Sequence, residues 1–115
     1  MAKTYSIILG AVLLIVGIAG YLTSGTEMFG FGLTPMHNLI HVLSGIVGLV
    51  AGFAGLKYAR WYCLGFGAIY AAVTLLGFIN YAPIVELLNL NMADNVLHLI
   101  IAITALGVGF KTVKA

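Results

Sequence analysis

Three histidines, two asparagines and one aspartate are the residues of this 115-residue chain whose types and spacing suit chemistry. His37 and His41 stand four apart in the run His37-Asn38-Leu39-Ile40-His41, and Asp94-Asn95-Val96-Leu97-His98 repeats the Asn-x-x-His spacing. Neutral imidazole ligates haem iron, zinc or copper, a carboxylate can join it, and an amide one turn away can support a ligand or bond across helices. No Ser, His and Asp set, carboxylate pair or phosphate-binding lysine accompanies them, so no enzyme is expected.

The elements that carry these residues belong to a membrane. Hydrophobic side chains make up 63% of the chain and charged ones only 7%, against about 25% charged in soluble domains. Uncharged runs cover residues 5–22, 28–56, 61–81 and 95–110, each near the ~20 helical residues that cross ~30 Å of hydrocarbon. The last is short unless its helix begins before Asp94. The expectation is one all-α membrane domain over residues 1–115, a bundle of four transmembrane helices. The first run, with Lys3 ahead of it and Ala19-Gly20 at its end, has the outline of a secretory signal but is read as a retained span. The single cysteine, Cys63, excludes an intrachain disulfide and any paired-cysteine motif. A net charge of +2 leaves no footprint for nucleic acid.

Lys3, Lys57, Arg60, Lys111 and Lys114 fall at the N-terminus, in the connector after the second span or at the C-terminus, which for four spans is one side. The positive-inside rule makes that side cytoplasmic, with both termini there and Glu27, Glu86 and Asp94 opposite.

Sliding the sequence 57 residues along itself aligns residues 1–58 on 59–115, matching Tyr5 with Tyr62, Gly10 with Gly67, Gly20 with Gly77, Asn38 with Asn95, His41 with His98 and Lys57 with Lys114. Shared Asn, His, Tyr and Lys are hard to obtain by chance in apolar sequence, so a tandem duplication of a two-helix hairpin is expected, with a pseudo-twofold axis along the membrane normal. Thr34-Pro35 and Asn91 read as helix starts, and a short amphipathic helix is expected from Pro83 in the outer connector.

On the second span Asn38, His41, Gly45, Gly48 and Gly52 share one helix face, and Asn95, His98, Ala102, Ala105 and Gly109 repeat it on the fourth. Small residues admit close helix approach, so these two spans are expected face to face at the axis. Three readings of the histidines follow. In the first, Asn38 bonds to His98 and Asn95 to His41 across the interface. In the second, His41 and His98 are axial ligands to haem b or another tetrapyrrole, with Asn38 and Asn95 in support. In the third, His37, His41, His98 and Asp94 hold a zinc or copper ion near the outer surface.

The paired motifs, with Ser44-Gly45 after the first and Ala93 before the second, resemble those of a prokaryotic family of small four-helix membrane proteins of unknown function. That resemblance covers nearly the whole chain and implies an inner or internal photosynthetic membrane without supplying an activity. The expected role is a non-catalytic membrane component that self-associates or serves a larger complex through its helix faces. A tetrapyrrole protein, and then a small transporter or metal-binding protein, are the alternatives.

Overall fold

Apolar sequence in lipid satisfies its backbone polar groups only by bonding them internally, and the helix does so within one segment. Four long helices result: α1 (Ala2–Leu22), α2 (Pro35–Ala54), α3 (Leu56–Phe78) and, after a short α4 (Ala82–Leu88), α5 (Met92–Lys111). All four are long and apolar enough to cross a membrane, as expected. The computed structural model describes residues 1–23 and 25–112; Lys114 lies outside them.

The helix starts follow the cap chemistry. Thr34 Oγ1 accepts from the His37 amide at 3.0 Å with Pro35 in the first turn. Asn91 Oδ1 accepts from the Asp94 amide, and Asp94 Oδ2 accepts from the Asn91 amide, each at 3.0 Å. This reciprocal cap starts α5 at Met92 and supplies the length that the run from Asn95 lacked. Pro83 lies in the first turn of α4, and Asn89 ends that helix in the left-handed conformation. Gly55, at φ +148°, connects α2 to α3 as a single residue.

Packing differs from the expectation in one respect. The small-residue faces of α2 and α5 do not meet each other; Gly45 and Gly52 abut α1 and Gly109 abuts α3, each the other helix of its own hairpin, while Gly48 lies against the Tyr62 ring of α3. A Cβ on Gly45 would lie 2.5 Å from the Leu14 backbone nitrogen of α1, and one on Gly109 would lie 2.6 Å from Leu64 Cδ2 of α3. The physical reason is that α1 and α3 carry glycine too, so close approach is available on both sides of the hairpin contact: a Cβ on Gly10 would lie 2.7 Å from the Leu49 nitrogen. Across the centre it is α1 and α3 that touch, through Ala2, Ala59 and Cys63, all fully buried. Above them Leu13 and Tyr70 join Ile101 and Ala102.

Two tyrosines tie the hairpins together. Tyr62 Oη donates to the Ser44 carbonyl of α2 at 2.9 Å, and Tyr5 Oη donates to the Ile101 carbonyl of α5 at 3.3 Å. Two apolar grooves, of about 520 and 590 Å³, open beside these contacts; Tyr5, Leu9 and Val12 line one, and Tyr62, Phe66 and Ile69 the other. Arg60 Nε donates to the Gly109 carbonyl at 3.1 Å and the Lys57 ammonium sits 4.6 Å over the Trp61 ring, so basic residues gather at one end of the bundle.

At the other end the connector between α1 and α2 is a β-hairpin. Strands β1 (Glu27–Met28) and β2 (Phe31–Gly32) pair antiparallel, and Phe29 and Gly30 turn between them with positive φ. Asn89 Nδ2 donates to the Thr26 carbonyl at 2.9 Å, Asn91 Nδ2 donates to the Gly30 carbonyl at 2.8 Å, and the Gly32 amide donates to Asp94 Oδ2 at 2.9 Å. Asp94 thus serves two amides from two connectors. Asp94→Ala leaves both N–H groups without their acceptor and is expected to lower stability by about 2 kcal/mol, read as an earlier midpoint in denaturant titration of the detergent-solubilised protein.

Candidate metal centre

Residues one turn apart share a helix face, so α2 presents His37 and His41 together, while α5 delivers His98 from the opposite hairpin. The ring centroids lie 4.4 Å apart for His37 and His41, 5.6 Å for His37 and His98, and 6.3 Å for His41 and His98. All three rings are buried, at 2%, 7% and 2% exposure respectively. They line a cavity of about 70 Å³ with Ser44, Tyr70 and Leu88.

His37 is held by the outer layer. Its Nδ1 lies 2.9 Å from the Leu88 carbonyl at the end of α4, an oxygen that can only accept, so Nδ1 carries the proton and Nε2 of the neutral ring keeps a lone pair. That bond from a non-ligating nitrogen to a carbonyl is how metal-binding histidines are commonly oriented. His37 Nε2, His41 Nδ1 and His98 Nδ1 are buried without a hydrogen-bond partner. An orphaned buried polar atom costs about 1–3 kcal/mol, and three in one place is a large cost for a structural core to carry. One ligand nitrogen from each ring lies within 4.8 Å of the other two. Around an ion with ~2.0 Å bonds such nitrogens stand about 3.4 Å apart, so small ring rotations close the widest gap.

The expected site residues divide accordingly. His37, His41 and His98 come together. Asp94 does not join them as a ligand, because its Oδ2 is committed to the Asn91 and Gly32 amides. The pairing of Asn38 with His98 and of Asn95 with His41 is also not what forms. Instead Asn38 lies against Gly20 of α1 and Asn95 against Gly77 of α3, with the Oδ1 of each unpartnered, because the even spans turn this face to their own hairpin. The tetrapyrrole reading fails on room. His37 stands beside His41 and His98, and a cavity of about 70 Å³ holds an ion and a water or two, not a macrocycle.

Sequence reasoning missed the neighbours of the cluster. Tyr70 of α3 places its ring 5.4 Å from that of His98, and its buried hydroxyl has no partner. No motif marks it; only its alignment with Leu13 in the centre of the bundle separates it from an anchor tyrosine. The Leu88 carbonyl had no side-chain signal at all.

A buried cluster of three imidazoles within four membrane-length helices defines a multi-pass α-helical membrane protein with a candidate transition-metal centre. The chain belongs to the family described as a domain of unknown function, DUF4383, whose model matches residues 3–111. A membrane family without an assigned activity is what the sequence resemblance implied. No curated protein and no solved structure matches the chain.

Proposed function

We propose that this is a non-enzymatic membrane metalloprotein that holds one first-row transition-metal ion between its two hairpins, on His37, His41 and His98. The observation that carries this reading is the set of three buried imidazoles on one small cavity, each with an unpartnered nitrogen, and with one ligand nitrogen from each ring within 4.8 Å of the other two. Neutral imidazole suits zinc, copper, iron and nickel, and an ion would replace the hydrogen bonds these atoms lack. An ion held by both α2 and α5 would also staple the two hairpins, adding to the hydrogen bonds that already join them, so occupancy would be a stability determinant.

The expected setting is a prokaryotic inner membrane or an internal photosynthetic one, with both termini cytoplasmic and the ion in the outer half of the bilayer. The gathering of Lys57, Arg60 and Lys111 at one end supports that orientation. Large apolar side chains such as Ile15, Val50, Leu75 and Phe110 remain exposed, offering lipid or neighbouring helices a surface for self-association or service in a larger complex. A tandem duplication is part of the proposal. It is supported by the two cross-hairpin tyrosine bonds and by the contacts of Gly20 with Asn38 and Gly77 with Asn95, the second of each set related to the first by the same 57-residue offset in sequence.

The test is elemental analysis of gently purified protein together with its stability before and after chelation. About one transition-metal ion per chain is expected, and its removal should cost about 4 kcal/mol at an ion concentration ~1,000 times the dissociation constant. Protein that carries no such metal, and that gains no stability from zinc, copper, nickel or iron, would sink the reading.

A further inference from the structure

Three neutral donors do nothing to reduce the charge of the ion they hold. The cost of placing an ion in a low-dielectric interior grows as the square of its charge, so a buried all-imidazole site discriminates strongly between monovalent and divalent ions. The surroundings sharpen this. Ile40, Ile69 and Val73 supply most of the remaining wall, and Tyr70 and Ser44 add only hydroxyls. A buried carboxylate, that of Asp94 at 2% exposure, stands one turn before His98 on α5. Its Oδ2 accepts two backbone N–H bonds, the usual company of an ionised group.

Among the described residues, Asp94 has no basic side chain at hand to balance it. Lys3, Lys57, Arg60 and Lys111 sit at the other end of the bundle, and the 13 residues from His98 to Lys111 correspond to roughly 20 Å of helix. The ion is therefore the natural counter-charge to Asp94. A monovalent ion and one carboxylate leave the outer core neutral, whereas a divalent ion leaves an uncompensated positive charge in an apolar setting.

We propose that the three-histidine site is selective for Cu(I), with Asp94 as the charge that balances it. This deepens the metal-centre reading and rests on it. Asp94 touches no ion in this arrangement; it acts through its field on the site, and through its bonds to Gly32 and Asn91 on the seating of His37.

The test is an anaerobic titration of metal-free, full-length protein in detergent, with Cu(I) competed against a chromophoric Cu(I) chelator and Zn(II) against a zinc indicator. One Cu(I) per chain is expected to bind at least about 100-fold more tightly than Zn(II). His98→Ala should abolish that site, which separates it from Cu(I) held by surface methionines. Asp94→Asn keeps an oxygen to accept both N–H bonds but removes the charge, and should weaken Cu(I) by about tenfold. Tighter Zn(II) than Cu(I), or an Asp94→Asn variant with unchanged Cu(I) affinity, overturns selectivity and charge balance while leaving a metal site in place. Failure of both ions to bind in a His98-dependent manner overturns the metal-centre reading as well.

Discussion

His41→Leu and His98→Leu will each lower affinity for the ion by well over 100-fold, while the metal-free protein holds its stability or gains. The first effect follows from count. With three donors there is no spare ligand, and loss of a group that merely orients a ligand already costs 10–100-fold. The second follows from the orphaned nitrogens. Each of these rings places an unpartnered Nδ1 in a buried setting, and leucine replaces it with apolar atoms of comparable volume. His37→Leu should lose the ion equally but also sacrifice the bond to the Leu88 carbonyl, so its metal-free form should be less stable by about 1 kcal/mol. Competition titration and denaturant midpoints on the same preparations check both halves. Variants that destabilise the metal-free protein strongly and leave ion binding intact would instead make the histidines interhelical glue.

Gly45→Leu will break the first hairpin. The added Cβ would lie 2.5 Å from the Leu14 nitrogen, 2.6 Å from the Gly10 carbonyl oxygen and 2.8 Å from the Leu14 Cα, all of them backbone atoms that no rotamer change can move. Two helices in lipid have no hydrophobic force to hold them at a wider spacing, so the contact is lost rather than adjusted. A cost above about 3 kcal/mol is expected. Gly107→Leu is the control, since a Cβ there meets nothing within 4 Å. Steric-trap or detergent-unfolding measurements on the two variants should differ by most of that amount; similar values for both would mean that α1 and α2 do not meet where the fold places them.

The four long apolar helices, their caps and the short α4 were legible because each rests on local rules: apolar length, Thr34 before Pro35, Asn91 three residues ahead of Asp94, Pro83 at a helix start. Which helix faces which was not. The glycine stripe on α2 says only that some helix comes close, and glycine stripes on α1 and α3 make three partners equally plausible until the whole bundle is assembled. That ambiguity misplaced Asn38 and Asn95. The histidines fared better, since burial at equal depth on two helices was readable from the paired spacing. The inclusion of His37 depends on a carbonyl of α4, a backbone group that no residue type announces; its four-residue separation from His41 was the one local signal. Asp94 shows the converse, a residue whose type suits metal ligation but whose Oδ2 accepts from two amides, of Asn91 and Gly32, nearer in sequence and space.

The Leu88 carbonyl makes α4 part of the centre although α4 itself crosses nothing. On the metal-centre proposal, reciprocity requires that any force lifting Leu88 from His37 weaken the ion, just as the ion would hold the seven-residue α4 in place. Metal occupancy and the seating of α4 would then share one equilibrium, so that slower amide exchange through Leu88–Asn91 on loading would report the ion from outside the four long helices.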